Sequence, residues 1–170
     1  FFQKNNQLKY KKSDYAPTEK CPWRKKQLQG EVHDDNTWAM GGVSGHAGLF
    51  GSLEAMIQWS QCFYRTLHEK ESCWSRAKTI KAYCQRAVPE SVGDWALGYM
   101  MPTKGRASCG QYFSKNSVGH TGFVGTSFWH DPKNKLTVIV LSNRVFPTRE
   151  NQLFVKLRPI LHDVAFQLFN

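Results

Sequence analysis

What this chain lacks narrows its class. No apolar run approaches the roughly 20 residues of a membrane-spanning helix, so no transmembrane segment is expected. The first residues, Phe1-Phe2-Gln3-Lys4-Asn5-Asn6, carry no apolar signal core. If a parent protein carries an export signal elsewhere, the expected place is the periplasm or cell envelope, and otherwise the cytoplasm. The five cysteines, Cys21, Cys62, Cys73, Cys84 and Cys109, show no C-x-x-C spacing, and an odd count does not make a disulfide framework. Reduced thiols are the expectation, with room for one disulfide. Acidic residues are few, 13 against 23 Lys and Arg, giving a net charge of +10. Such an excess suits an anionic polymer or a membrane surface. It is spread along the chain with no recognition motif beside it, so no specific nucleic-acid site is expected.

Two further absences bear on cofactors. The glycine-rich stretch Gly41-Gly42-Val43-Ser44-Gly45-His46-Ala47-Gly48 is not followed by Gly-Lys-Ser/Thr, which excludes a phosphate-binding P-loop. His33-Asp34-Asp35 are adjacent, so they point in different directions, and no second ligand group stands at a metal-binding spacing. A turn or a helix start accounts for them better. No metal and no cofactor are expected.

What is present is enough for one domain with a real core: 170 residues, 41% hydrophobic and 14% aromatic. Residues 1–37 read as an extended, polar, cationic crossing segment in which Pro17 and Pro22 deter helix and Tyr15, Trp23 and Trp38 offer anchors. Residues 38–116 hold the glycine loop, a helix capped by Ser52 over Leu53 to Leu67, and a second helix over Ser75 to Arg86. The first shows an apolar stripe of Leu53, Met56, Ile57, Phe63, Tyr64 and Leu67, and the second turns Ile80, Tyr83 and Cys84 inward. Trp95 to Met101 reads as a strand and Pro102 to Asn116 as a surface loop. Residues 117–170 hold a hairpin and a C-terminal helix over Asn151 to Phe169, with Pro159 expected to kink or restart it. That helix is expected to lie across one face of the sheet. The fold class is α+β, an antiparallel sheet flanked by helices.

The hairpin is the organising stretch, SVGHTGFVGTSFWHDPKNKLTVIVLSNRVFPTREN from Ser117 to Asn151. It is expected as two adjacent strands, with His120-Thr121-Gly122 at the head of the first and Asp131 to Lys135 as the turn. Thr126, Phe128 and His130 should share one face and Ser127 and Trp129 the other. The unbroken apolar run Leu136 to Leu141 predicts burial on both faces.

Gly119-His120-Thr121-Gly122-Phe123-Val124-Gly125-Thr126, followed by Leu141-Ser142-Asn143-Arg144 and Pro147-Thr148-Arg149-Glu150-Asn151, resembles the third motif region of the serine β-lactamase and penicillin-binding-protein superfamily. It is closest in kind to the class C-like esterase and peptidase branch, where His often replaces the Lys of Lys-Thr-Gly. Gly30 to Asn36 and Gly41 to Phe50 resemble the same branch. The resemblance covers nearly the whole chain and implies a β-lactamase/transpeptidase-like fold, as a single partial domain over 1–170 that supplies the C-terminal portion only.

The family's Ser-x-x-Lys and Tyr/Ser-x-Asn motifs have no good counterpart. Ser75-Arg76-Ala77-Lys78 lies in a polar, cationic stretch, where such a match is expected by chance. Ser114-Lys115-Asn116 stands too close to His120. The resemblance therefore implies the C-terminal part of a serine hydrolase that transfers an acyl group to a serine and then to water, inactive alone for want of its nucleophile. The alternative is a non-catalytic remnant or binding module for an anionic polymer such as cell wall or nucleic acid. By resemblance the catalytic set is His120, Thr121, Gly122 and Phe123, the last giving its backbone N–H to the oxyanion. His120 would supply the positive charge of the family's Lys, and an imidazole makes that charge pH-dependent. His46, Gly48, Asn143, Thr148 and Arg149 are the substrate-binding candidates, with Arg149 as a carboxylate clamp or a surface salt bridge. The implied partners are a small-molecule or peptide acyl substrate, and either the missing N-terminal half or another copy of the chain. Without that half, apolar side chains such as Val138, Val140, Phe154 and Leu157 are expected to lose neighbours.

Overall fold

The computed structural model describes residues 1–2, 5, 7–69 and 77–169. The chain divides into two compact units, Phe1–Ser52 with Ser142–Leu153, and Leu53–Leu141 with Phe154–Asn170.

In the first unit the expected extended crossing segment is instead a β-hairpin. Strands β1 (Pro17–Cys21) and β2 (Lys26–Gln29) pair antiparallel, with a bulge between Pro17 and Glu19. Pro17 blocks helix but stands first in its strand, where a missing N–H does least harm to the ladder. Glu19, Cys21 and Leu28 turn inward and are buried. Helix α1 (Asp35–Ala39) follows, capped by Asp34, whose carboxylate accepts from the Thr37 N–H at 2.8 Å. The adjacent acidic residues are thus a helix start. Tyr15 is buried against Phe50, 5.6 Å between ring centroids, whereas Trp23 stays largely exposed and meets Trp38 edge-on at 5.4 Å.

The second unit holds helices α2 (Leu53–His68) and α3 (Ala77–Tyr83), strands β3 (Val118–Thr121), β4 (Ser127–Asp131) and β5 (Leu136–Val140), and helix α4, which spans Leu153–Phe169. The three strands form one antiparallel sheet in the order β3-β4-β5. His120 and Thr121 therefore belong to a strand of their own, separate from β4, which corrects the two-strand reading. The register pairs His120 with Phe128 and Thr121 with Ser127. Residues 122–125 make the turn, closed by the Gly122 N–H on the Thr126 carbonyl at 2.7 Å.

Side chains alternate across β4. Trp129 packs with Cys109 and Phe113, while Phe128 and His130 meet the rings of Phe63 on α2. Cys109 and Phe113 are buried, so the 102–116 segment contributes core residues instead of lying wholly on the surface. Strand β5 is half-buried throughout, not covered on both faces, because it is an edge of the sheet. Trp95 to Met101 is a tight hairpin, not a strand: Trp95 bridges Met100, and the Ala96 N–H donates to Tyr99 O at 2.9 Å.

Helix α2 buries Ser60, Cys62, Phe63 and Thr66, while Leu53 and Ile57 of its apolar stripe are exposed. Helix α3 presents Ile80, with Cys84 just beyond it, to the core around Phe63, Ala96, Met101 and Val118, but Tyr83 is exposed. Ser75 lies outside the described residues. Cys62 is disulfide-bonded, for which the sequence left room, while Cys21, Cys84 and Cys109 are free thiols as expected.

Helix α4 runs through Pro159 without a break and inverts the usual division of faces. Its buried residues are Arg158 and His162, while Leu157, Ile160, Val164 and Leu168 are 44%, 56%, 48% and 73% exposed. On the inward side the His162 Nε2 lies 3.0 Å from Ser127 Oγ, and the Phe166 ring packs on Phe113 at 5.4 Å. Burial, reinforced by Arg158, pushes the His162 imidazole down to about 4.

The β4–β5 turn is fixed by Asp131, which is fully buried. It accepts from Ser114 N and Oγ at 2.8 and 2.7 Å, from Lys133 N at 2.9 Å, and from Asn134 N and Nδ2 at 3.3 and 2.9 Å. Burial acts to raise this carboxyl, but the bonds from Ser114 and Asn134 prevail and hold it below its usual value. Its contribution is therefore complete above the carboxylate range of the unfolded chain and is lost as pH falls through the depressed folded value. Asp131→Ala is expected to lower the unfolding free energy by about 2 kcal/mol or more, read from the urea midpoint at neutral pH, because several donors lose their acceptor together. An unchanged midpoint would remove Asp131 from this role.

Candidate functional site

The catalytic candidates lie together at one end of β3, in the second unit. Gly119 exchanges hydrogen bonds with Met100 on the outer edge of that strand, at 3.1 and 2.8 Å. Backbone groups alternate sides along a strand, so the N–H and C=O of Thr121 face outward on the same edge as those of Gly119. The Thr121 carbonyl accepts from His120 Nδ1 at 2.9 Å. A carbonyl can only accept, so Nδ1 is the donor and Nε2 is the ring nitrogen left facing away from that bond. His120 is exposed, with the Trp95 ring 6.2 Å away. The Thr121 hydroxyl reaches the Met100 sulfur at 3.8 Å.

Gly122 has to be glycine for packing reasons, since a Cβ there would overlap the Thr126 hydroxyl. Phe123 sits in the turn with its side chain 58% exposed. The guanidinium of Arg158 approaches the Gly122 carbonyl at 3.4 Å.

The substrate-binding candidates all belong to the first unit. His46 projects from the glycine loop, where Nε2 meets Asp34 Oδ1 at 3.2 Å and Nδ1 meets Ser44 Oγ at 3.1 Å. Acid, imidazole and hydroxyl thus stand in line, the order of a hydrolytic triad. Ser44 Oγ is also 2.8 Å from Thr37 Oγ1 and accepts from the Ala47 N–H at 3.3 Å, which ties it into the loop as a brace. Gly48 has φ +102°, and a Cβ on it would overlap the Gly42 carbonyl, so the loop closes only with glycine there.

Asn143, Thr148 and Arg149 lie on the segment that follows β5. Asn143 keeps a buried Oδ1 with no hydrogen-bond partner among the described residues. The Thr148 Oγ1 accepts from the Glu150 N–H at 3.3 Å. Arg149 is already clamped on a carboxylate of its own chain: Nε donates to Glu19 Oε1 at 2.8 Å, Nη2 to Oε2 at 2.7 Å, and its backbone N–H to Oε1 at 3.1 Å. Arg149 Nη1 also stands 3.5 Å from Asp35. Glu19 further accepts from His33 Nε2 at 3.1 Å. The Arg149 hydrogen bond leads in holding the Glu19 carboxyl down to about 2, against the burial that would raise it. His33 is shifted below its ordinary value by burial, with Glu19 opposing.

Sequence reading did not single out Glu19 as Arg149's partner, nor Asp34, Thr37 and Ser44 as the ring around His46. No motif joins residues 19 and 149. The clue for the second group was a helix cap followed ten residues later by a Ser-Gly-His loop.

The β-lactamase family model matches residues 4–157. The chain belongs to the β-lactamase family. Among its relatives are putative D-alanyl-D-alanine carboxypeptidases of Salmonella paratyphi B and Salmonella newport, each 35% identical over 126 residues, covering 71% of this chain and 28% of the relative. A β-lactamase from Mycobacterium bovis has the same fold, with a TM-score of 0.59 at 19% identity, covering 84% of this chain and 50% of that one. The chain thus spans about 28% of the length of the curated relatives and 50% of the solved neighbour. The family membership bears out the resemblance carried by the His-Thr-Gly strand, and the fold is the α+β one expected from it.

Arg149→Ala is expected to destabilise the chain by about 2 kcal/mol or more at neutral pH, since it leaves the buried Glu19 carboxylate without its cation. With Arg149 in place, the Glu19 contribution is complete above roughly pH 4.5 and is lost as pH falls toward 2. In the variant the folded carboxyl titrates higher. Urea midpoints measured from neutral to acid pH test this, and wild-type midpoints in Arg149→Ala would show the pair to be idle.

Proposed function

We propose that this chain is the C-terminal part of a β-lactamase-family serine hydrolase that cleaves an amide or ester by acyl transfer to a serine and then to water. The nucleophilic serine is supplied by polypeptide outside this sequence. The observation that carries the reading is the end of β3, where His120-Thr121-Gly122 stands on an outward-facing strand edge with Thr121's backbone groups turned out.

On that edge an extended acyl substrate adds as a further strand, held by the Thr121 backbone. The Thr121 hydroxyl takes the substrate's carboxylate or carbonyl. The Phe123 N–H is one oxyanion donor, a role that accounts for roughly 3 kcal/mol of transition-state stabilisation. His120 holds its Nδ1 proton on the Thr121 carbonyl and presents Nε2, which accepts or returns a proton near the reacting serine. Gly122 leaves room for the substrate. His46, Gly48, Asn143 and Thr148, all of the first unit, are substrate-binding candidates by the family resemblance alone. Arg149 binds a substrate carboxylate only by exchanging it for Glu19. The names of the Salmonella relatives favour a peptide ending in D-amino acids among the candidate substrates. The disulfide at Cys62 suits an oxidising compartment such as the periplasm.

Support for a missing complement comes from α4. Its exposed stripe of Leu157, Ile160, Val164 and Leu168 leaves large apolar side chains in water, each worth about 1.5–3 kcal/mol when fully buried. The relatives are several times longer than the matched region and have chain to spare for that face.

The test is covalent labelling with a fluorophosphonate, followed by intact-mass spectrometry. The chain alone is expected to give no adduct. The parent polypeptide is expected to give one, on a serine upstream of Phe1, and His120→Ala in that parent to lower kcat/KM by about a hundredfold or more. An adduct mapped to Ser75 or Ser44 in the isolated chain would refute the reading and make the chain an enzyme in its own right.

A further inference from the structure

The β3–β4 ladder has a second end. Val118 pairs with His130 there, three residues from Thr121 and thus about 10 Å further along the strand. At that end α2, α3, β3 and β4 surround a pocket of about 380 Å³. Leu67, Met101 and Val118 supply apolar wall, and the charged lining residues, His aside, are Lys81 and Arg86. The described lining contains no carboxylate. Arg86 is committed to Asp94 at 3.0 Å and to the Gly93 carbonyl at 2.8 Å. Lys81 is exposed on α3 and remains the available ammonium.

Two imidazoles converge in the same pocket. His68 Nε2 and His130 Nε2 are 2.9 Å apart, and His130 Nδ1 lies 2.8 Å from Thr137 Oγ1. One ring nitrogen must donate and the other accept. His130 is fully buried, and burial with His68 beside it pushes it down to about 4, with Asp131 opposing. His130 is therefore held neutral, and once His68 is protonated its Nε2–H donates to His130 Nε2. Among the described residues no third metal ligand joins the pair, and the positive charges of Lys81 and Lys135 act on His68. A group that brings negative charge meets no repulsion from the lining and relieves the crowding of cations.

We propose that this pocket is a binding site for a small carboxylate with an apolar tail, its head against Lys81 and His68 and its tail on Leu67, Met101 and Val118, and that binding takes up a proton on His68. The groups acting on His68 among the described residues are Lys81 from α3, Lys135 from the β4–β5 turn, His130 from β4, and Glu69 beside it on the chain. Burial first, then Lys135 and Lys81, shifts the free His68 below its ordinary value, with Glu69 opposing. A bound carboxylate reverses the balance and draws a proton onto the ring. Affinity therefore falls as pH rises through the imidazole range. The site stands apart from the His-Thr-Gly edge and does not depend on any reading of that edge.

The test titrates the chain with hexanoate, following the His68 and His130 ring resonances by NMR and the heat of binding by calorimetry. Saturable shifts in both rings are expected, with affinity about fivefold or more tighter near pH 6 than near pH 8. Lys81→Ala alters an exposed residue, so its circular dichroism should match wild type, while its affinity for hexanoate falls about fivefold or more. His68→Phe should abolish the pH dependence. Inorganic phosphate, a head group without a tail, should bind more weakly than hexanoate. Unshifted rings at roughly 20 mM hexanoate, unchanged affinity in Lys81→Ala, or phosphate binding as tightly as hexanoate would each overturn the proposal.

Discussion

In the second unit one buried carboxylate, Asp131, holds two neighbouring elements in place. Asp131 closes the β4–β5 turn through Lys133 and Asn134 and, from the same two oxygens, anchors Ser114. That residue begins the approach to β3, and the Ser117 N–H donates to its carbonyl at 2.9 Å. One side chain thus sets both the turn of one hairpin and the entry of the neighbouring strand. The cost of dehydrating a carboxylate is offset only when its lone pairs are filled, and here they are. The position of His120 and Thr121 follows, because β3 has little freedom once its start and its ladder to β4 are given.

The first unit repeats the device with a charge pair. Glu19 is turned inward by the β1 bulge and meets Arg149, from 130 residues further on, together with His33. The pair ties the segment after β5 to the hairpin β1–β2. It also occupies the guanidinium that the motif alone would assign to substrate. A similar exchange of expectation occurs on α4, whose inward face carries Arg158 and His162 and whose outward face is apolar. Such a helix is incompatible with water as its permanent neighbour on that side, which is why the fold reads as part of a larger one.

Local chemistry made several elements legible. The Leu53–His68 helix, the cap at Asp34, the turn at Asp131 and the uncovered glycine loop all follow from residue type and spacing within a few positions. The same holds for His120-Thr121-Gly122, where a contiguous motif carries the family. Elements whose identity depends on a distant partner were read less well. The residues 1–37 form a hairpin because Lys26–Gln29 returns to pair with Pro17–Cys21, and prolines alone could not announce that. Trp95 to Met101 has strand composition but folds back on itself at Leu97 and Gly98. Burial of β5 was overestimated because an apolar run does not reveal whether its strand lies at the centre or the edge of a sheet.

By itself the sequence determined the class of fold, the family motif, and the two long helices that flank it in the chain, because these rest on contiguous patterns of hydrophobicity, glycine and turn residues. Tertiary structure alone decided that Arg149 is held by Glu19, that His46 is braced by Asp34 and Ser44, and that His68 and His130 share a hydrogen bond across 62 residues. Polar pairings of this kind depend on which buried groups end up within about 3 Å of one another. No local pattern encodes that distance.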